Sequence, residues 1–226
     1  GNMAETIGAR GYEVRILPAP AAEVGFEHAS EYASWLGVRA AQDAKETREV
    51  LGEERPDWLV VDHYGLDAAW EAELRPVVGS IAALDDLADR PHDCDLLLDQ
   101  NLGQSAQDYS GLVPKHCHLL IGPRFALLRP EFARLRRDSL ERRRSPRLER
   151  ILVSMGGVDK DNATGRVLEA LRDVPLPEDL QIEVVMGGNA PWLRAVKDQA
   201  DAMPWPTTVQ IDVSDMGLRM AAADLA

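Results

Sequence analysis

The feature that most constrains this sequence is an alternation between short apolar runs, rich in Val, Ile and Leu, and longer stretches with helical spacing. This alternation is the pattern of βα units and predicts a parallel sheet with helices packed against it. Several of the runs are almost uninterrupted, which is typical of strands covered on both faces. The predicted fold class is therefore α/β.

The apolar runs and the helical periods divide the chain into predicted elements. We predict strands at residues 12–17, 58–61, 80–84, 95–98, 118–121, 151–154, 181–186 and 208–211. We predict helices at residues 31–51, 67–74, 162–172, 191–202 and 215–223.

The composition becomes Arg-rich over residues 129–146, and a new strand with a Gly-Gly turn follows directly. We therefore predict a domain boundary near residue 146, with the Arg-rich segment as a linker at the end of domain 1–146 and a partial domain at 147–226. The arginines could hold phosphates, but a solvated helix leading into the linker is favoured. Both ends look cut, because residue 1 is not methionine and residues 223–226 look like the start of a strand.

Charge and composition exclude several classes of partner. The formal net charge is -13 with a pI near 4.8, which disfavours binding to nucleic acid. No apolar run reaches the length of a membrane helix and no signal peptide is evident, so we predict a cytoplasmic protein without a membrane partner. The two cysteines, Cys94 and Cys117, lack metal-ligand spacing and are interpreted as buried free thiols.

Polar residues follow the predicted strands, at the edge where ligands bind in open parallel sheets. Asp62, His63, Tyr64 and Gly65 come directly after one strand and could orient a sugar, hold a water or move a proton. The favoured alternative is structural, with His63 bonding its own loop and Tyr64 covering the end of the sheet.

Two adjacent carboxylates, Asp85 and Asp86, follow the next strand. They could form a pair for acid/base chemistry or hold a metal, since neighbouring carboxylates raise one another's proton affinity. Adjacent side chains usually diverge, however, and capping of a helix N-terminus by one of them is favoured.

In the second half of the chain, Met155, Gly156 and Gly157 follow a strand, and Asp159 and a predicted helix come next. Glycines let a backbone approach a diphosphate, and a helix N-terminus offers N–H donors to it. The pattern is common, so a simple tight turn is the favoured alternative. No dinucleotide fingerprint, P-loop, nucleophile elbow or zinc-peptidase motif is present in the sequence.

Several longer segments then share an order and spacing with a known family. They are WLGV at 35–38, PDWLVVDHYG at 56–65, LDDLADRPHDCD at 84–95, LDQN at 98–101, GPRFALLRPEF at 122–132 and SMGG at 154–157. Together they resemble the UDP-2,4-diacetamido-2,4,6-trideoxy-β-L-altropyranose hydrolase family of pseudaminic acid synthesis, which serves flagellin glycosylation.

The resemblance implies two Rossmann-like domains of the glycosyltransferase-B type, both incomplete here, and hydrolysis of a UDP-sugar with inversion at the anomeric carbon. It implies neither a cofactor nor a metal. It implies that Asp62, His63, Tyr64 and Gly65 lie on the sugar side. On the UDP side it implies Met155, Gly156 and Gly157, with a turn that contains Asp212, Val213 and Met216.

The resemblance also implies a histidine general base in a Gly-x-Gly-His loop, and this sequence contains no such loop. We therefore expect that residue upstream of Gly1 and expect this chain alone to be inactive. Two alternatives stay open: a glycosyltransferase that uses a UDP-sugar donor, and a non-catalytic fragment that binds a nucleotide sugar.

Overall fold

The computed structural model describes residues 2–18, 32–145 and 147–226 of the chain. Its contacts divide the protein into two compact units, Gly1–Leu127 and Leu128–Ala226. Each unit contains one parallel sheet with helices, so the α/β class is confirmed.

The first unit contains a four-stranded sheet in the order β1-β2-β3-β4, and every described strand pair is parallel. Its elements are α1 (Asn2–Ala9), a 3-10 helix (Ala33–Leu36), α2 (Ala40–Leu51), β1 (Trp58–Val61), α3 (Ala68–Leu74), a 3-10 turn (Arg75–Val77), β2 (Ser80–Leu84), β3 (Leu96–Asp99), β4 (His118–Ile121) and a 3-10 turn (Pro123–Phe125).

The core of this unit forms where the apolar strand residues meet one face of α3. Ile81 of β2 and Leu97 of β3 are fully buried, together with Leu74 of α3. Helix α3 begins where Asp67 accepts hydrogen bonds from the amides of Ala69 and Trp70, the expected role of an N-cap aspartate.

The second unit contains a three-stranded parallel sheet in the order β5-β6-β7. Its elements are α4 (Pro130–Arg142), β5 (Arg150–Val153), α5 (Ala163–Arg172), β6 (Gln181–Met186), α6 (Leu193–Asp201), β7 (Thr207–Ile211) and α7 (Met216–Ala222). Leu168, Ile182, Val184 and Val196 are fully or almost fully buried and join α5 and α6 to the sheet. Leu225 forms a parallel bridge with Ile151, as the predicted start of a strand at 223–226 requires.

The strand predicted at residues 12–17 is wrong. These residues have no regular structure, and Tyr12 and Ile16 expose 69% and 76% of their surface. A strand needs a hydrogen-bonded neighbour, and within the described residues β1 pairs only with β2. The segment is instead attached through Arg15, which donates to the carbonyl of Val50 at 2.7 Å.

The helix predicted at residues 31–51 is divided in two. The 3-10 helix Ala33–Leu36 ends at Gly37, whose φ of 75° is left-handed and favours glycine. Helix α2 begins only at Ala40. Residue 31 lies outside the described residues.

The Arg-rich segment forms α4, which contains no fully buried residue, as expected for a solvated helix. It packs against α7 in the second unit, where Glu131 accepts from the amide of Gly217 at 3.2 Å and Arg142 pairs with Asp224. The structure therefore groups this segment with the second sheet and not with the first, because the units divide at Leu127 and Leu128. The domain boundary near residue 146 stays a prediction.

Both thiols are free, and their sulfur atoms lie 3.6 Å apart. Cys94 is buried and Cys117 is half-buried, so the interpretation as buried thiols holds fully for Cys94 only. In the part of the chain that the structure describes, no helix combines the length and the apolar character needed to cross a membrane.

Candidate functional site

The loop after β1 presents the first group of predicted site residues. Asp62 is exposed, and His63, Tyr64 and Gly65 are half-buried. The amide of Gly65 donates to Nδ1 of His63 at 3.0 Å, so His63 bonds its own loop. A Cβ at position 65 would lie 2.9 Å from the carbonyl oxygen of Tyr32, which explains why glycine occupies this position.

Tyr64 belongs to an aromatic group that the sequence analysis did not identify. Its ring centroid lies 5.2 Å from that of Tyr32 and 6.1 Å from that of Trp35. Hydrogen bonding to Asp86, burial and the nearby carboxylates raise the pKa of Tyr64 to about 12. At neutral pH its phenol is therefore protonated and can donate a hydrogen bond.

Asp85 and Asp86 point in different directions, as predicted. Strand partners Leu84 and Leu98 lie side by side in β2 and β3. Successive side chains alternate between the two faces of a sheet, so Asp85 shares one side with Asp99, and Asp86 shares the other with Gln100. The predicted helix cap is wrong, because no helix follows β2; Asp85 instead accepts from the amide of Ala88 at 3.0 Å within a turn.

Asp85 lies in a buried polar network. Its Oδ1 is 2.8 Å from Nη1 of Arg90, whose Nε donates to the carbonyl of Leu66 at 2.8 Å. The guanidinium carbon of Arg90 lies 5.9 Å from the ring centroid of Tyr64. The hydroxyl of fully buried Tyr109 donates towards Asp99 at 3.0 Å and lies 3.3 Å from Asp85. Through its contacts with Leu66 and Asp85, Arg90 connects the loop after β1 to the loop after β2.

His92 extends this network to α3. Its Nδ1 lies 2.7 Å from buried Glu71, and its Nε2 lies 3.9 Å from Asp85. Burial alone would lower the pKa of His92, but the contacts with Asp85 and Glu71 outweigh it and raise that pKa to about 9. Burial would likewise raise the pKa of Asp85, but His92, the Ala88 amide and Arg90 lower it to about 2. Asp85 and His92 are therefore both charged at neutral pH.

A cavity of about 100 Å³ opens at this edge of the first sheet. Its lining residues come from the ends of β1, β2 and β3: Asp62, Tyr64, Leu84, Asp85, Asp86, Leu98 and Gln100. His63 and Gly65 are not part of this lining.

In the second unit, the loops after β5, β6 and β7 are joined to one another. The amide of Gly187 donates to the carbonyl of Gly157 at 3.0 Å, and the amide of Gly188 donates to Asp212 Oδ1 at 2.9 Å. A Cβ at position 187 would overlap the Gly157 carbonyl oxygen. The structure thereby brings together two of the predicted UDP-side positions, Gly157 and Asp212, through Gly187 and Gly188.

The N-terminus of α5 is already occupied by side chains. Asp159 accepts from the amides of Ala163 and Thr164 at 2.7 and 2.9 Å, and Asn162 accepts from the amide of Gly165 at 3.2 Å. The expectation that these helix amides face a diphosphate is therefore wrong, because they already have acceptors. The amides of residues 156–158 donate to no acceptor in the described chain and remain available.

The remaining predicted residues of the UDP side have different environments. Met155 exposes 43% of its surface, whereas Val213 and Met216 are half-buried and pack against Leu152 and Val185. Asp212 adopts a φ of 50°, which asparagine and aspartate tolerate better than most residues.

Sequence reasoning missed Glu71, Arg90, His92 and Tyr109 as site residues. Arg90 and His92 lie within the LDDLADRPHDCD segment, so a charged pair next to a strand end was a usable signal. Glu71 and Tyr109 carry no local signal, because only the fold brings α3 and residue 109 to the end of β2. Among residues 2–18, 32–145 and 147–226, no group of three or more His, Cys, Asp or Glu side chains is placed to hold a metal ion.

Comparison with known proteins finds two similar sequences, while no known family profile matches the chain. The UDP-2,4-diacetamido-2,4,6-trideoxy-β-L-altropyranose hydrolase of Campylobacter jejuni is 28% identical over 159 residues, which cover 70% of this chain and 54% of the hydrolase. An uncharacterized protein of Methanocaldococcus jannaschii is 24% identical over 135 residues, 59% of this chain and 28% of that protein. The chain thus spans about half of the first relative and about a quarter of the second. It is related, at moderate identity, to a hydrolase of a UDP-linked sugar.

Proposed function

We propose that this protein hydrolyses a UDP-linked 2,4-diacetamido-2,4,6-trideoxy sugar to UDP and free sugar, with inversion at the anomeric carbon. The observation that carries the proposal is the 28% identity over 159 residues to a hydrolase of that name. The glycosyltransferase-B arrangement of two Rossmann-like domains is part of the same proposal.

The second unit supports the UDP side through its backbone. Residues 156–158 offer amides that have no acceptor among the described residues, and glycine at 157 leaves open space, since a Cβ there would meet no atom within 4 Å. Backbone amides bind phosphate oxygens without needing a positive side chain. The diphosphate is therefore assigned to this turn and not to the N-terminus of α5.

The first unit supports the sugar side through Tyr64. Its phenol has a pKa of about 12, so at neutral pH it is protonated, and it forms a hydrogen bond with a sugar oxygen or with the attacking water without acting as a base. Nδ1 of His63 accepts a hydrogen bond from the Gly65 amide, so this nitrogen already has a partner. His63 is thus poorly suited to take a proton from water, and Asp62 at the cavity is the neighbouring acceptor.

Binding of UDP to this chain tests the nucleotide assignment. Gly157→Val places a branched side chain beside the free amides, and we expect UDP affinity in isothermal titration calorimetry to fall by about tenfold or more. The chain should remain folded because the space is open. Gly8→Val, which also enters open space, is the matched control and should bind UDP normally. Equal affinity in both variants would remove the diphosphate from this turn.

Product analysis tests the reaction. Release of UDP and free sugar with water alone supports a hydrolase, whereas a requirement for an acceptor supports a glycosyltransferase. The assay compares this chain with a version extended by the coding sequence upstream of Gly1, because the general base is expected there. Tyr64→Phe in the active version should lower turnover, and full turnover would exclude a role for the phenol.

A further inference from the structure

The cavity in the first unit is lined by both apolar and polar side chains, and the register of β2 against β3 explains their arrangement. Leu84 and Leu98 are directly paired neighbours in β2 and β3 and line the cavity together. Asp86 and Gln100, which lie two positions after Leu84 and Leu98 respectively, line the same cavity. An apolar pair therefore lies beside a carboxylate and a carboxamide.

The hydrogen bonds of these polar groups determine what each still offers. Asn101 Nδ2 donates to Asp86 Oδ2 at 2.9 Å, and Asp86 Oδ1 is buried without a hydrogen-bond partner among the described residues. The amide of Leu127 donates to Gln100 Oε1 at 3.0 Å. That bond directs the carboxamide oxygen to Leu127 and leaves Nε2 as a donor. Among the polar groups of the lining, which also include Asp62, Tyr64 and Asp85, Asp86 Oδ1 is thus an acceptor and Gln100 Nε2 a donor for a ligand.

We propose that this cavity is a subsite for an acetamido group of the sugar, with Asp86 and Gln100 as its specificity-determining residues. Asp86 Oδ1 accepts from the acetamido N–H, Gln100 Nε2 donates to its carbonyl, and Leu84 and Leu98 contact its methyl group. The inference rests on the proposed function, because that function supplies a sugar with acetamido groups.

The size and chemistry of the cavity favour this group over its alternatives. About 100 Å³ has room for several water molecules and therefore for the four heavy atoms of an acetamido group. A sugar hydroxyl would leave the leucine pair uncovered. An ammonium group would suit Asp86 but would oppose the N–H donor of Gln100.

The test compares three UDP-linked probes by calorimetry on the present chain: a 2,4-diacetamido-2,4,6-trideoxyhexose, the matching 2,4-diamino sugar, and the matching sugar with hydroxyls at both positions. We expect the diacetamido probe to bind about tenfold or more tightly than either other probe, because a hydroxyl leaves Leu84 and Leu98 uncovered and an ammonium group opposes the N–H donor of Gln100. Asp86→Ala and Gln100→Ala should each lose most of this preference while their affinity for UDP alone is retained.

Control variants separate specificity from folding. Glu53→Ala and Gln107→Ala remove an exposed carboxylate and an exposed carboxamide elsewhere in the first unit and should keep the preference. Circular dichroism checks the fold of every variant, and Asp86→Asn replaces Asp86→Ala if the latter is unfolded.

The outcomes distinguish this inference from the proposed function. If UDP binds but the preference is absent, is unchanged in the variants, or favours the diamino probe, the subsite is wrong while the function stands. If UDP does not bind, the function fails, and the subsite is judged with N-methylacetamide. Shifts of the Leu84 and Leu98 methyl resonances that disappear in Asp86→Ala then support it, and absence of such shifts overturns it.

Discussion

The edges at the carboxyl ends of the strands differ between the two sheets in the groups that hold their loops together. At the first edge, charged side chains form a buried network around Asp85, Arg90 and His92. At the second edge, backbone amides connect the loops. The amide of Gly187 donates to the carbonyl of Gly157, and the amide of Gly188 donates to Asp212. The first edge is therefore organised by charged side chains, and the second mainly by close contacts between backbone groups.

The largest effect should come from breaking the side-chain edge. Asp85→Ala leaves Arg90 and His92 buried without their shared carboxylate, which should destabilise the first unit by about 3–5 kcal/mol. Hydrogen exchange with mass spectrometry should show lost protection in β2 and β3, and little change in β5 to β7.

The matched variant is Asp89→Ala, which also contacts Arg90 but through a carboxylate that is 47% exposed. It should cost less than about 1 kcal/mol. An equal loss of stability in the two variants would mean that the burial of Asp85 does not increase its contribution to the free energy of unfolding.

A smaller effect should come from breaking the backbone edge. Gly187→Ala inserts a Cβ onto the carbonyl of Gly157, and backbone cannot yield as a flexible side chain does. We expect a loss near the upper end of overpacking costs, about 3 kcal/mol, measured by urea unfolding. Gly157→Ala enters open space and should change stability by less than about 1 kcal/mol. A similar cost for both would contradict the close contact of these loops.

The smallest effect, and the one that sharpens the comparison, is pH dependence. The pKa of His92 is raised from 6.5 to about 9 in the folded protein. Its contribution is therefore fully present below about pH 6.5 and is lost as the pH rises through 9. Between neutral pH and about pH 9 the first unit should lose about 2 kcal/mol of stability.

This slope is measured by urea unfolding across that range in the wild type, in His92→Gln and in His118→Gln, whose histidine is exposed at the start of β4. The slope should disappear in His92→Gln and persist in His118→Gln. A slope that survives the loss of His92 would assign the pH dependence to another group.

The difference between the two edges also explains what could be predicted. Glycines after strands are visible in a sequence, so Gly156 and Gly157 were identified, although the capping of α5 by Asp159 was not foreseen. Side-chain networks join residues that are distant in sequence. Tyr109 and Asp85 are 24 positions apart, and nothing local indicates that they meet.

The positions of β1, β2 and β4 to β7 agreed closely with the apolar runs, since a strand covered on both faces must be apolar along its length. The strand predicted at residues 12–17 does not form, because it has no described strand beside it. Its residues have strand propensity, but a strand forms only where a neighbour satisfies its backbone groups.

By itself the sequence determined the α/β class, most of the strands and helices, and the placement of polar residues after the strand ends, because periodicity and turn chemistry are local properties. Only the tertiary structure decided that Asp85 pairs with buried Arg90 and that Asp86 and Gln100 line one cavity. That outcome depends on the register of β2 against β3, and register is set by packing between segments that no local pattern connects.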